Sequence, residues 1–334
     1  MVSKARKIAA QASSNITGRR NLLLNGDMVI CQRSTGTSDK GGATGYFAQD
    51  RWRIYVANLE GRFTLSQDTD APDDFAFSMQ IDCTTAETST PDVNEYLIIE
   101  QKLEGLDLQK LKKGTSDAEP LTLSFWVKSP KTGVHTVTLH DTSNTRSISS
   151  TYTVASADTW EYHYVTFAGD TTGTIPNDNT EGLALWFWLL AGSDFTGGTF
   201  NTSWASHVAA NACSSSQVNV LDSTDNNFFL TGCQLEMGNS PTSFEWEEYA
   251  DSLERCKRYF FSYSGTKYGQ RYSSTAGFIN LEFPRRMRAA PTLTSYSGVR
   301  TTTGLGYYPN ARHHQVLMTA TNPYITTPVL DSEL

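Results

Sequence analysis

The chain has 334 residues and a formal net charge of -8, with 38% hydrophobic and only 19% charged residues, the balance being Thr, Ser, Asn and Gly. Such a length buries roughly three quarters of the surface an unfolded chain exposes, enough for one or two cores. The acidic balance argues against a nucleic-acid binder, which needs a basic face for phosphate, and no apolar run is long enough to span a bilayer.

The first twenty residues stand apart as an arm. Lys4, Arg6, Lys7, Arg19 and Arg20 are unopposed there, because no acidic residue precedes Asp27. Ser3 is placed to cap a short Ala-rich helix through Ala12, and the arm reads either as a solvated tail or as a docking peptide for a larger assembly. It lacks the apolar core of a signal peptide, so the product is expected to stay where it is made.

From Asn21 onward the pattern alternates with period two. "DRWRIYV", "GRFTLSQD", "FAFSMQID" and "EYLIIEQKLEG" are each bounded by Gly, Pro, Asp or Asn. In "LTLSFWVKSP", Leu121, Leu123, Phe125 and Val127 point one way and Thr122, Ser124, Trp126 and Lys128 the other. "GVHTVTLHD", "SISSTYTV", "WEYHYVTFAGD", "GLALWFWLLAG" and "NNFFLTGCQLEMG" continue the series, which predicts an all-β sandwich or barrel. "LDLQKLKKGTSDAEP" suits a short helix, and residues 193–227, rich in Ser, Asn, Ala and Gly, read as one long excursion.

An amphipathic helix is expected at 245–259. Trp246, Tyr249, Leu253, Cys256 and Phe260 recur at spacings of three and four, and Thr242 with Glu245 fits a capping box. Acids lead and bases trail, as the helix dipole favours. The helix is expected to pack on the sheet completed by "FFLTGCQLEM" and to deliver the chain to a smaller β-region at 260–334. That region's core is marginal unless it packs on the sandwich or on further copies of itself, which makes oligomerisation the expectation.

Chemical signatures are sparse. No G-x-S-x-G, P-loop, G-x-G-x-x-G or H-E-x-x-H occurs, and the six histidines lack metal-ligand spacing. Glu100, Glu104 and Asp107 lie in or after one strand, but nothing selects the opposed pair that glycan hydrolysis needs. No catalytic residue is assigned. The five cysteines have no C-x-x-C pair and read as small buried residues of a protein made in a reducing compartment. Trp126, Trp186 and Trp188 would line one surface if their strands adjoin, a face on which sugar rings stack, with Gln101, Lys128 and Tyr162 supplying hydrogen bonds. The competing reading is that these indoles are packing.

"NLLLNGDM", "LTLSFWVKSP", "TWEYHYVTFAGD" and "FFLTGCQLEMG" resemble successive landmarks of jelly-roll carbohydrate-binding modules. With "QDRWRIY", "CQLEMGNSPTSFEWEEYADSLERCKRYF" and "FPRRMRAAPTLT", the pattern is similar to bacteriophage virion proteins, especially tail-fibre and receptor-binding proteins. "SKARKIAA" resembles the attachment segment that opens some fibre proteins. The resemblance implies a jelly-roll sandwich over 21–244, the arm 1–20 as anchor to other virion proteins, and a homotrimer on the virion surface, made in the host cytoplasm. It implies host glycans as partners and no membrane insertion; no cofactor is assigned, and a structural calcium ion, known in similar jelly rolls, is left open at oxygens near Asn25 and Asp27. The chain has no room for a long shaft, so a capsid decoration or head-fibre protein stays open beside the fibre reading, as does a glycan depolymerase.

Overall fold

The computed structural model describes residues 19–87, 90–271, 277–297, 305–306, 313–318 and 324–334. Lys4, Arg6, Lys7 and the helix expected from Ser3 lie outside these. Thirteen strands build the larger part: β1 (Gly36–Lys40), β2 (Gly45–Tyr46), β3 (Arg53–Ala57), β4 (Arg62–Asp68), β5 (Ser78–Thr85), β6 (Tyr96–Glu104), β7 (Leu121–Lys128), β8 (Gly133–Asp141), β9 (Arg146–Val154), β10 (Glu161–Phe167), β11 (Glu181–Ala191), β12 (Ala205–Ser206) and β13 (Asn227–Met237). They form two antiparallel sheets, one in the order β1-β4-β5-β13-β7-β10 and the other β12-β9-β8-β11-β6-β3-β2. This is the expected jelly-roll sandwich. The alternation in each strand decides which side chains enter the core: Phe63, Leu65, Met79, Ile81, Phe125 and Leu230 come from the first sheet, and Ile54, Leu97, Ile99, Val137, Leu139 and Phe187 from the second. Phe125 and Phe187 meet edge to face across the interface, with ring centroids 5.0 Å apart.

The segment "NLLLNGD" is a clasp. The Leu22 amide donates to the Leu235 carbonyl at 2.8 Å, and the Asn21 side chain bonds both Cys233 and Leu235, so residues 21–26 run beside the second half of β13. Gly26 lies so close that a Cβ would sit 2.1 Å from the Cys233 carbonyl oxygen. Asn25 spends its side chain on the backbone of Ile30 and Asp50, and its carbonyl accepts the Trp52 indole N–H. Two of the sequence landmarks are thus one structural joint.

The helix is shorter than its pattern. It spans α2 (Tyr249–Cys256), after a four-residue turn α1 (Ser193–Thr196) earlier in the chain, and the expected capping box does not form. Glu245 instead accepts the backbone amides of Arg20 and Asn21, while the Thr242 hydroxyl donates to Glu236. Tertiary partners have taken the capping groups. Trp246 precedes the helix, Tyr249 is 60% exposed, and only the Cys256 end of the stripe is buried. Just beyond it, Arg258 and Tyr259 bond Glu104 at the end of β6, so the chain anchors on the second sheet rather than on the one that holds β13. A 3-10 turn at Gly105–Leu111 meets the expectation of a short helix there.

The C-terminal region contains β14 (Phe260–Ser262), β15 (Thr266–Tyr268), β16 (Gln270–Arg271), β17 (Gly277–Glu282), β18 (Thr292–Ser297), β19 (Leu305–Gly306), β20 (His313–Met318) and β21 (Tyr324–Asp331) in two small sheets. His313 and His314 open a strand. The small core of Ile279, Leu281, Phe283, Met287, Ile325 and Leu330 is tied to the sandwich by charge. Glu333 is buried against the Arg51 guanidinium, which also lies over the Tyr259 ring, and Arg33 reaches both Asp331 and Glu333. Removing one partner of a buried pair leaves an uncompensated charge, so Glu333→Ala should cost about 3–5 kcal/mol in urea unfolding. The paired change Arg51→Met with Glu333→Leu should cost much less.

His135 on β8 is wholly buried, its ring 5.3 Å from that of Tyr152 and 5.6 Å from that of Phe228. Burial pushes its imidazole down to about 4. The unfolded chain takes up this proton near pH 6.5 and the folded chain resists it, so stability present above about 6.5 is lost towards pH 4, by about 3 kcal/mol. Asp50, raised to about 7 by burial, acts in the opposite sense over the same window. The His135→Phe chain should therefore lose less stability than the wild type between neutral pH and pH 4.5, and equal losses would contradict this assignment.

Candidate functional site

The two outer faces of the sandwich differ. On the second sheet, Trp186 and Trp188 are 8% and 2% exposed, roofed by the first part of the 193–227 excursion through Phe195, Ala212 and Cys213. The Trp188 indole donates to Thr138 at 3.0 Å and that of Trp186 to Glu100 at 2.8 Å. The excursion read from the sequence is a lid that completes a second small core. Gln101 is buried as well, holding the backbone of Leu24 from both ends at 2.7 and 3.0 Å. The three indoles do not share a surface, because β7 and β11 belong to different sheets.

On the first sheet the outer face is covered over much of β7 and β13, where Thr122, Thr231, Gln234 and Glu236 are buried, and opens towards β10. Trp126 stands opposite Tyr162 on β10 and opposite Thr231 on β13, with the Trp126 and Tyr162 rings 5.3 Å apart. Beside them Phe75, Phe244 and Trp246 form a three-ring cluster with centroids 4.9 to 5.1 Å apart. Together they line a groove of about 420 Å³, whose polar margin is Asp73, Asp74, Ser124, Thr242 and Ser243. Trp246 and Tyr162 are 52% and 43% exposed, and Tyr164 continues the face of Tyr162 along β10.

Each element of the groove has a local cause. Pro72 to Phe75 make a turn closed by the Phe75 amide on the Pro72 carbonyl at 3.1 Å, with Asp74 left-handed at φ 76°, which sets both carboxylates at the rim. Gly232 lies in the irregular stretch of β13 between Thr231 and Gln234, at φ +61°, and a Cβ there would meet Phe75 at 2.8 Å and Trp126 at 2.9 Å. The left-handed φ and the close rings both demand glycine. Lys128 is turned away, paired with Asp70, which also accepts the Trp160 indole at 2.9 Å.

The charged candidates are mostly engaged elsewhere. Glu100 also pairs with Arg53, and Glu104 holds Arg258 and Tyr259, while Asp107 is exposed. Arg20 bonds Thr242 and the Ser243 carbonyl, and Arg19 lies 3.3 Å from Glu247, so both fold back onto the sandwich. Among the described residues no group of three His, Cys, Asp or Glu is suited to a metal ion. All five cysteines are free thiols, four of them buried. Sequence reasoning found Trp126 and Tyr162 but missed Phe75, Phe244 and Trp246. The available signals were the Pro-Asp-Asp-Phe turn and an indole within a run that helical periodicity had claimed.

No protein-family model matches the sequence, and no curated protein matches it. Distant likenesses occur among solved structures. The enzymatically active domain of tailspike protein 4 of bacteriophage CBA120 is 12% identical with a TM-score of 0.33, covering 65% of this chain but 21% of that one. A family 11 carbohydrate-binding module from Clostridium thermocellum, in complex with a β-1,3-1,4-mixed-linked tetrasaccharide, is 11% identical over 61% of this chain and 96% of that one, TM-score 0.29. A carbohydrate-binding module in complex with β-1,4-galactotriose is 11% identical over 66% of this chain and all of that one, TM-score 0.30.

The two outer faces separate by mutation. Trp188→Ala should cost about 3–5 kcal/mol in unfolding, since it empties a closed core. Trp126→Ala should cost less, since its ring is only partly covered and lines the open groove. Comparable losses at the two sites would show that the groove is packing.

Proposed function

We propose that this chain binds glycans through the groove of Trp126, Tyr162, Phe75 and Trp246, and that it is a non-enzymatic virion protein of the tail-fibre or receptor-binding type. The observation that carries the first part is the open aromatic face. Aromatic rings in a soluble protein are usually mostly covered, and on the second sheet they are. At the groove Trp246 and Tyr162 stay exposed and Trp126 and Phe75 partly so, rimmed by carboxylates and hydroxyls, the chemistry that stacks on a pyranose and accepts hydrogen bonds from its hydroxyls. Asp73 and Asp74 at the rim favour neutral or amino-bearing sugars over acidic ones, because a second anion would be repelled.

The virion assignment rests on the sequence pattern described above, with the basic arm as anchor and a homotrimer as the working assembly. Several copies would turn weak single-site contacts into firm adhesion. Recognition at the groove requires no reaction. Its oxygens serve recognition, and the carboxylates at the rim are adjacent in sequence on one turn.

Soluble oligomer applied to an array of bacterial surface glycans should bind neutral or amino-bearing structures, and Trp126→Ala should weaken that binding about tenfold or more without loss of fold. Retention of wild-type binding in that variant would move the site elsewhere. Release of reducing sugar during long incubation would replace the binding reading with a depolymerase. Incorporation of a chain lacking residues 1–20 into particles would contradict the anchoring role of the arm.

A further inference from the structure

We infer that the junction between the sandwich and the C-terminal region holds a binding site for an oxyanion, a carboxylate or phosphate group carried by a small ligand. The site is separate from the aromatic groove. Two hollows of about 330 and 240 Å³ adjoin there, sharing Glu104, Arg255 and Tyr259. Eight of the residues that line them are Arg or Lys and two are Asp or Glu, in a protein whose net charge is -8. Cations concentrate here against the overall balance.

Several of these charges are already matched. Glu104 takes two hydrogen bonds from Arg258, at 2.8 and 2.6 Å, and one from Tyr259, Lys102 pairs with Glu181 at 2.8 Å, and Arg51 pairs with Glu333. Arg19 and Arg255 are not matched one to one, since they share the single carboxylate of Glu247 at 3.3 and 2.5 Å. Lys110 sends its ammonium to the Arg19 carbonyl at 2.9 Å, a neutral acceptor. The Arg19 Nε is the atom that faces Glu247, and its Nη2 donates to the Leu23 carbonyl, which leaves the Arg19 Nη1, like the Arg51 Nε, buried without a hydrogen-bond partner. Burial and the neighbouring Arg255 hold Arg19 down to about 10, and burial also lowers Lys110. Asp107, the remaining acid of the lining, is exposed.

An oxyanion between Lys110, Arg19 and Arg255 would supply the acceptor that the Arg19 Nη1 lacks and a charged partner for Lys110. Guanidinium forks match carboxylate and phosphate in shape, and charge-assisted bonds of this kind are the strong ones. The chain's own arm cannot fill the place with side-chain charge, because residues 1–18 contain Lys4, Arg6 and Lys7 and no acid. The chemistry therefore selects an external anion, borne either by a sugar acid or by a phosphate ester.

Calorimetric titration of the full chain at low salt with sodium phosphate, glucuronate and glucose tests this. Saturable binding of phosphate or of glucuronate, with none of glucose, is expected, and the anion that binds identifies the class. Lys110→Gln should weaken it about tenfold with an unchanged thermal melt, Arg285→Gln at the exposed rim should weaken it too, and Trp126→Ala should leave it intact. Absence of saturable binding with both anions would overturn the proposal. Binding that neither Lys110→Gln nor Arg285→Gln alters would overturn it equally, and neither result would touch the glycan reading of the groove.

Discussion

The organisation of the molecule turns on one backbone irregularity, the bend of β13 at Gly232. Before it, Asn227–Leu230 pair with β5, and after it the same edge of β13 is met by residues 21–26. A left-handed residue with no side chain is needed there, because Phe75 and Trp126 close over it within 3 Å of where a Cβ would lie. One residue thus splits a strand between two partners and brings together two aromatic rings from opposite sides of it. The groove is a consequence of how the sheet is closed.

The remaining architecture serves to hold that closure. Asn21 and Glu245 pin the entry of the chain to its exit, so the first and last segments of the sandwich are bonded side to side. The C-terminal region then adds its own small core and returns Glu333 to Arg51 in the sandwich. Such a buried pair contributes little net stability compared with an apolar contact, but it fixes where the region docks. Buried polar groups here specify geometry more than they add free energy.

Much of this was legible in the sequence, and the failures have physical causes. Period-two alternation marks strands reliably where one face is buried, as in "LTLSFWVKSP", and every such run is a strand of the sandwich. It cannot say which sheet a strand joins, so alternation alone places Trp186 and Trp188 with Trp126 although they lie on the opposite side of the core under a lid. The pattern over-extends the helix because Thr242 and Glu245 carry the chemistry of a cap, which long-range partners take instead. Trp246 falls on the helix stripe by spacing alone. The glycine that shapes the groove was visible only as a letter within a strand, and its meaning depends on rings distant in sequence.

Function in this account lies in the asymmetry of the two faces. One sheet spends its indoles on a covered core, while beside the other a partly covered Trp126 and an exposed Trp246 meet carboxylates and hydroxyls, the chemistry that suits a hydroxylated ring. The most direct measurement is a crystal structure of the full chain soaked with an oligosaccharide from the surface of a susceptible bacterial host. The account predicts sugar density stacked between Trp126 and Trp246, within reach of Asp73 or Asp74. Density confined to any other surface, with the groove occupied by water alone, would contradict it.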